Sequence, residues 1–354
     1  MCYNTKFHII SYMKRVAING FGRIGRLFFR QAFGLPEIEI VAINDLGDLP
    51  NLAHLLKHDS VYRKYNRNVQ VGVGSIIVDG KEIKFFQEKD PTKLPWGDMK
   101  VDIVIESTGV FESYEKAKVH LRAGAKRVVL TAPAKDADGI EGLPAGQAGK
   151  TILVGINQNE IESAALTSNG SCTTNAASPV IAIMSETVGI EKAILNTVHA
   201  YTATQNLVDG PAKGGDFRRG MAAAQNISPS TTGAATAVTR VIKELDGNFD
   251  GIAFRVPVVC GSVADITFIS KRPTSVEEIN QIFISAAEED RWKGILTVTS
   301  EQLVSSDIIG EPYGAIVDLG FTKVVGGNLV KVISWYDNEW GYTSTLVKHI
   351  LSIA

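Results

Sequence analysis

Apolar and polar positions follow two different rhythms along this chain, and the change falls just ahead of residue 172. Lys14 to Asn19 reads as a short buried strand running into a helical pattern with apolar positions Ile24, Leu27, Phe28 and Ala32. Ile38 to Ile43 predicts a second strand, ending in Asn44-Asp45, and Val101 to Ile105 a third. Glu112 to Ala123 predicts a helix closed by Gly124, followed by strands at Arg127 to Leu130 and Thr151 to Val154. Strand alternating with helix calls for a parallel, doubly wound sheet. Ala176, Val180, Ile183, Met184 and Val188 then mark a helix that Gly189 can stop. Beyond it, Gly251 to Pro257 and Ser262 to Ser270 alternate as longer strands, consistent with an antiparallel sheet facing helices. A last helix, Tyr342 to Leu351, is expected to fold back onto the first unit.

Two connections stand apart. Ala134 to Lys150 is rich in Gly, Ala and Asp and reads as a surface loop without assigned chemistry. Tyr201 to Ala224 is long and Gly-rich, held by Pro211, and carries Lys213, Arg218 and Arg219. A loop of that length inside a compact domain is usually functional. With 354 residues and 45% hydrophobic content, two domains are the natural prior. A net charge of −2 gives no reason to expect nucleic acid or an anionic membrane as partner. Three cysteines, Cys2, Cys172 and Cys260, are too few and too dispersed for a disulfide framework, and a free thiol suits a reducing cytoplasm. No apolar run has the length of a membrane span, and Met1 to Tyr12 lacks the pattern of a secretion signal.

The candidate chemistry begins at Cys172. A lone thiol is commonly a small buried hydrophobe. This one is flanked by Ser171, Thr173, Thr174 and Asn175 just ahead of a helix, where free N–H groups favour thiolate over thiol. His199, in Thr197-Val198-His199-Ala200-Tyr201-Thr202, can take and return a proton if the fold brings it near. The start of the chain supplies a second element. Gly20-Phe21-Gly22-Arg23-Ile24-Gly25 lies between strand and helix, and Asp45 follows 20 residues after Gly25. That is where a dinucleotide fingerprint needs an acid for the ribose hydroxyls. Gly20 permits the tight turn, Gly22 the approach of a pyrophosphate, and Gly25 close packing of helix on strand. The plainer reading is a glycine turn with Asp45 capping something local.

These residues, with INGFGRIGR, ESTGVF, SCTTN, TVHAYTATQ, AFRVPV and SWYDNEWGY in order, resemble phosphorylating glyceraldehyde-3-phosphate dehydrogenases from Arg15 to the C-terminus. The resemblance implies an α/β protein with a Rossmann-type NAD-binding domain over 14–171, completed by a C-terminal helix in 338–354. An α+β catalytic domain with a mostly antiparallel sheet would occupy 172–337 and contain an S-shaped loop, 201–226. Residues 1–13 would be an N-terminal extension. It further implies NAD as cofactor, glyceraldehyde 3-phosphate and inorganic phosphate as partners, and a homotetramer in the cytoplasm. Cys172 would attack the aldehyde, and His199 would activate the thiol and remove a proton, giving a thioester that phosphate cleaves. Cofactor contacts would come from Gly20, Phe21, Gly22, Arg23, Ile24, Asp45, Lys89, Ser107, Thr108, Thr131, Asn338 and Tyr342. Arg255, Thr202 and Thr204 would hold the substrate's phosphate. Ser171, Thr173, Arg219, Thr232 and Gly233 would hold the attacking one. Erythrose-4-phosphate dehydrogenases share most of these motifs and are the nearest alternative. A non-catalytic binding protein on the same scaffold is a second, against which the joint presence of Cys172, His199, Arg219, Arg255 and Asn338 speaks.

Plainer roles exist for several positions. Arg218 and Arg219 alone would pass for an exposed basic pair, and Thr173 and Thr174 for helix caps. Asn338 suits a turn, and Trp335, Trp340 and Tyr342 suit packing. His54 and His58 have i,i+4 spacing, but no Cys or carboxylate constellation accompanies them, so a helix face is expected and no metal. Arg255, between Phe254 and Val256 in an apolar strand, demands an anionic or polar partner. Departures from the family pattern are Gly170, Ala176, Ala177, Lys89, Thr131 and Met221. None removes a catalytic group, and Met221 bears on the subunit contact.

Overall fold

The computed structural model describes residues 13–139, 148–212 and 215–353. Residues 1–12 of the N-terminal extension, residues 140–147 of the Ala134–Lys150 connection and Lys213 therefore lie outside the described residues. The first half contains β1 (Lys14–Asn19), α1 (Arg23–Ala32), β2 (Ile38–Asn44), α2 (Leu49–Lys57), β3 (Val69–Gly72), β4 (Ser75–Val78) and β5 (Lys81–Phe86). It continues through β6 (Ile103–Glu106), α3 (Tyr114–Arg122), β7 (Arg127–Leu130), β8 (Ala148–Thr151) and β9 (Ala164–Ser168). These strands form one sheet in the order β3-β4-β5-β2-β1-β6-β7-β9-β8. Only the β3-β4-β5 meander at one edge is antiparallel.

The two-sided burial of this sheet follows from period-2 alternation within its strands. Val16 and Ile18, with Ile103 and Ile105, face one core that holds Phe28 of α1. Ala17, Val104 and Val128 face the opposite core with Tyr114 and Ala117 of α3. Both faces being covered explains why β1, β6 and β7 read as nearly continuous apolar runs.

The second half begins with α4 (Cys172–Thr187) and β10 (Ile190–Ala200), followed by β11 (Ser228–Thr231), α5 (Ala234–Thr239), β12 (Phe249–Val256) and β13 (Ser262–Ser270). It ends with α6 (Val276–Ala287), β14 (Leu296–Thr299), β15 (Ala315–Val325), β16 (Leu329–Tyr336) and α7 (Trp340–Ser352). Seven strands form the sheet β11-β12-β10-β13-β16-β15-β14, mostly antiparallel, with β10·β12 and β14·β15 parallel. Helix α4 packs against it through Ala176, Val180, Ile181 and Met184, meeting Leu195, Ile266 and Val332. Helix α7 returns to the first unit, where Leu346, Val347 and Ile350 join the core beside α1.

Several expectations need correction. The strand placed at Thr151 to Val154 is β8, which ends at Thr151 and so takes in part of the connection read as loop. Helix α3 starts at Tyr114, because the Ser113 side chain accepts the Lys116 N–H and caps it. The long loop is not structureless. A 3₁₀ turn at Phe217–Gly220 and backbone bonds from Asn206 to Arg219 and from Gly210 to Gly220, both 2.9 Å, close it on itself.

Candidate active site

The nucleophile candidate sits at the seam between the two sheets. β9 ends the first sheet, Gly170 turns with φ +64, and Ser171 caps α4. The Ser171 hydroxyl accepts the Thr174 N–H at 3.0 Å, while the Thr174 hydroxyl accepts the Ser171 N–H at 3.1 Å. The cap is thus Ser171 with Thr174, not Thr173, and Cys172 is the first residue of the helix rather than a residue ahead of it. His199 is the penultimate residue of β10, and its Nε2 lies 3.3 Å from Cys172 Sγ. Tyr336 braces both sides of the pair, its hydroxyl 2.8 Å from those of Thr173 and Thr197. One electrostatic expectation is reversed. Burial pushes the Cys172 thiol up, and it outweighs the opposing pull of Arg255 and of the N–H groups at the helix start. Burial likewise drives His199 down to about 3, with Arg255 adding to the effect. Burial thus disfavours the charged form of both groups.

The glycine-rich turn occupies the carboxyl ends of the parallel strands, where β1 and β6 diverge to opposite sides. Gly20 has φ +96, and a Cβ there would lie 2.6 Å from Ser107 C and Thr108 N. Over Gly22 there is open space. Phe21 contributes only backbone, because its ring is buried in the core. Asp45 accepts the Phe21 N–H at 2.6 Å and the Gly47 N–H at 2.8 Å. It therefore braces the turn locally while standing at the end of β2. Arg23 pairs with Asp59 and Glu339; burial opposes its charge, but the two carboxylates hold its pKa up. The Ser107 hydroxyl donates to Gly20 O at 2.7 Å and that of Thr131 to Glu106 O at 3.1 Å.

A cleft of about 390 Å³ joins the two halves. It brings Arg23, Ile24, Ser107, Thr108 and Thr131 together with Ser171, Cys172, His199, Thr202, Thr204, Asn338 and Tyr342. Asn338 Oδ1 accepts the Gly261 N–H at 3.1 Å and the Ser262 hydroxyl at 2.9 Å, which leaves its NH₂ as a donor for the cleft. Tyr342 is buried and donates to Gly170 O at 3.1 Å, so it steadies the turn before Cys172. Lys89 is exposed beyond β5 and does not line this cleft.

Sequence reasoning passed over Glu106. This buried carboxylate forms part of the cleft floor and accepts from Asn19 Nδ2 at 2.6 Å and from the Thr108 N–H at 2.9 Å. An acid closing the apolar run Val101 to Ile105 was the available signal.

The anion-site candidates are spread over several elements. Arg255 stands opposite His199 in the parallel β10·β12 register, with Nη1 donating to Ala200 O at 3.1 Å. The Thr202 and Thr204 hydroxyls are 3.0 Å apart at the rim. Arg219 reaches Thr204 at 3.4 Å and Ser230 at 3.2 Å, so Thr204 lies between the two proposed sites rather than in one. Thr232 and Gly233 lie at the start of α5 and, like Arg219 and Arg255, are not among the residues lining the cleft. Thr173 does not fit as expected: its side chain is buried and its hydroxyl is committed to Tyr336. Arg218 pairs with Asp216 on the surface. The rings of His54 in α2 and of His58, which caps its end, lie 4.7 Å apart and tilted, both exposed. Among the described residues no group of three or more His, Cys, Asp or Glu could hold a metal ion.

Comparison with known proteins gives a consistent result. A family model described as glyceraldehyde 3-phosphate dehydrogenase, NAD binding domain, matches residues 14–114, and the corresponding C-terminal domain matches 171–338. A glyceraldehyde-3-phosphate dehydrogenase of Thermotoga maritima is 50% identical over 338 residues, covering 95% of this chain and 97% of that one. That of Clostridium pasteurianum is 46% identical over 340 residues, with the same coverages of 95% and 97%. That of Mycobacterium avium is 47% identical over 341 residues, covering 94% and 96%.

Proposed function

The chain belongs to the glyceraldehyde 3-phosphate dehydrogenase family and is a glycolytic NAD-dependent dehydrogenase, and from this premise we propose that it converts D-glyceraldehyde 3-phosphate and inorganic phosphate to 1,3-bisphosphoglycerate. The observation that carries the reading is the 3.3 Å approach of Cys172 Sγ to His199 Nε2 at a helix N-terminus opening on the cleft. The glycine turn, the open space over Gly22, Asp45 at the end of β2 and the free NH₂ of Asn338 fit NAD. When bound, NAD supplies the two-electron acceptor.

The chain's own residues then act in order. Cys172 loses its proton to His199, its sulfur bonds to the aldehyde carbon as the C=O π bond opens to an alkoxide, and His199 returns the proton to that oxygen to give a hemithioacetal. The backbone N–H of Cys172 supports the oxyanion. His199 Nε2 takes the hemithioacetal hydroxyl proton as that carbon is oxidised to a thioester. A phosphate oxygen, steered by Arg219 and Ser171, attacks the thioester carbonyl; the C–S bond breaks and Cys172 leaves as thiolate. Arg255 with Thr202 and Thr204 holds the substrate's own phosphate, since an arginine fork matches a phosphate dianion. The thioester keeps the oxidation energy that hydrolysis would lose.

The site also supports a homotetramer built around the long loop. Leu207, Val208, Phe217 and Ile227 are 70%, 73%, 81% and 70% exposed in the single chain, a set of apolar groups that a subunit contact would cover. Light scattering should give a mass near four chains; a concentration-independent monomer would refute this. No helix among the described residues is long and apolar enough to cross a membrane, and we place the enzyme in the cytoplasm.

The deciding assay is NADH appearance with glyceraldehyde 3-phosphate or erythrose 4-phosphate, with and without inorganic phosphate. Phosphate-dependent turnover of the triose phosphate is expected. Preference for the tetrose, or phosphate-independent release of the free acid, would overturn the assignment. Replacing Arg255 should chiefly weaken sugar-phosphate binding, whereas replacing Arg219 should slow thioester breakdown and spare the first burst of NADH.

A further inference from the structure

We propose that Tyr62 and Asp337 are positioning residues for the coenzyme: together they fix the turn from which Asn338 presents its NH₂ to the nicotinamide. The inference rests on the reading of Asn338 as a contact of NAD. Asp337 is fully buried between the end of β16 and the start of α7. Its carboxylate gathers donors from distant parts of the chain. The Glu339 and Trp340 N–H groups reach Oδ1 at 2.8 and 2.7 Å, and the Gly310 N–H reaches Oδ2 at 2.8 Å. The Tyr62 hydroxyl lies 2.7 Å from Oδ1 and 2.9 Å from Oδ2, and the Cys260 thiol donates to Oδ1 at 3.2 Å. Burial, reinforced by the Asp337 charge, pushes the pKa of both hydroxyl and thiol up, so both remain donors.

These partners hold different things. The Glu339 and Trp340 N–H groups close a local turn around Asn338 and so set its backbone. Asn338 Oδ1 is taken up by the Gly261 N–H at 3.1 Å and the Ser262 hydroxyl at 2.9 Å, next to Cys260. The NH₂ is thereby left to the cleft. Tyr62 ties this turn to the first half of the chain. It follows α2 and is joined to the glycine-rich turn through Asp59, whose Oδ1 accepts the Tyr62 N–H at 3.0 Å and whose Oδ2 pairs with Arg23. Arg23 also pairs with Glu339, and its guanidinium lies 5.7 Å from the centre of the Tyr62 ring. The Trp340 ring lies 5.2 Å from the same ring. A circuit of side chains thus runs from Arg23 beside the glycine turn through Asp59, Tyr62 and Asp337 to Asn338, and closes through Glu339. Without the Tyr62 hydroxyl, side-chain support of the Asp337 carboxylate falls to the Cys260 thiol, a weak donor.

The test compares NAD with ADP-ribose, which lacks the nicotinamide, by calorimetric titration of the full chain. Asn338→Ala should weaken NAD about 10-fold, the order of one hydrogen bond, and leave ADP-ribose within about 2-fold. Tyr62→Phe keeps the ring against Arg23 and Trp340 and removes only the hydroxyl. It should weaken NAD about 5-fold, again sparing ADP-ribose, and should add nothing in the Asn338→Ala background. Equal losses for both ligands, or the full loss repeated in the double variant, would overturn the proposal. Tyr62 would then support the site in general or act apart from Asn338.

Cys260 supplies a second arm that does not depend on how Tyr62→Phe folds. Cys260→Ala removes a donor to the same carboxylate and should weaken NAD about 3-fold with ADP-ribose unchanged, while Cys260→Ser keeps a donor and should bind NAD as the wild type does. Equal NAD affinity in the alanine and serine variants refutes the positioning role of the carboxylate. If Asn338→Ala itself leaves NAD bound as tightly as before, the reading of Asn338 as a nicotinamide contact has failed and the proposal with it. If Asn338→Ala is selective for NAD and Tyr62→Phe is not, only the positioning role has failed.

Discussion

His349 offers a quantitative test of how α7 is anchored beside the catalytic turn. The ring is fully buried, with Nε2 2.8 Å from the Thr167 hydroxyl and Nδ1 3.2 Å from Asn169 Oδ1. Burial drives its pKa from 6.5 to about 3. Between those values the unfolded chain binds a proton that the folded chain refuses, so stability rises with pH across the window and is flat above 6.5. At pH 5 the unfolded state gains 1.5 pH units of this protonation, worth about 2 kcal/mol. His349→Gln removes the term, while the similar burden from His199 stays in both proteins and cancels. Urea unfolding followed by tryptophan fluorescence at pH 7.5 and pH 5 measures it. The variant will lose packing at both values, but its deficit relative to wild type should shrink by about 2 kcal/mol on going to pH 5. Parallel pH dependences would refute the buried, neutral assignment and with it the account of how α7 holds Asn169.

Three further outcomes follow from the site. Cys172→Ser should abolish aldehyde oxidation yet keep NAD binding, measured by fluorescence titration, while His199→Asn should retain activity reduced about 10²–10⁴-fold; rapid turnover by the serine enzyme would exclude covalent catalysis. Asp45→Asn keeps an acceptor for the Phe21 N–H but removes the charge that repels a 2′-phosphate, so the kcat/KM ratio for NADP over NAD should rise about 10-fold, because like-charge juxtaposition is costly; an unchanged ratio would place Asp45 away from the ribose. Gly25→Ala would set a Cβ 2.1 Å from Gly20 O and should cost about 3 kcal/mol in urea unfolding with a matching loss of NAD affinity; full stability would show that the turn is not tightly packed.

Much of this was legible because periodicity reports burial. The strand Lys14–Asn19 and the strand Arg127–Leu130 were placed to the residue, since both are short apolar runs bounded by turns. The β3-β4-β5 meander was not read. Its exposed Val71 and Val73, its four-residue strands β3 and β4 and the charged β5 break the alternation on which such a reading depends. The thiolate expectation failed for a different reason. A helix N-terminus is visible in sequence, whereas burial of the sulfur beside His199 is set by tertiary packing. Thr173 was assigned to a phosphate by the family resemblance; its hydroxyl lies 2.8 Å from that of Tyr336, 163 residues away.

The site is assembled by strand ends rather than by any contiguous motif. Cys172 enters α4 directly from β9, so its position is tied to the first sheet while its helix is buried against the second. His199 and Arg255 come from strands separated by β11 and α5 in the chain, and only the parallel register of β10 on β12 makes them neighbours. Asn338 follows β16, and the same residue caps the approach of Gly261 and Ser262 at the start of β13. A one-residue slip of β10 against β12 would turn His199 or Arg255 to the other face of the sheet. The core alternation that fixes this register therefore also fixes the catalytic distance, and the 3.3 Å sulfur–nitrogen approach is a property of the whole second sheet.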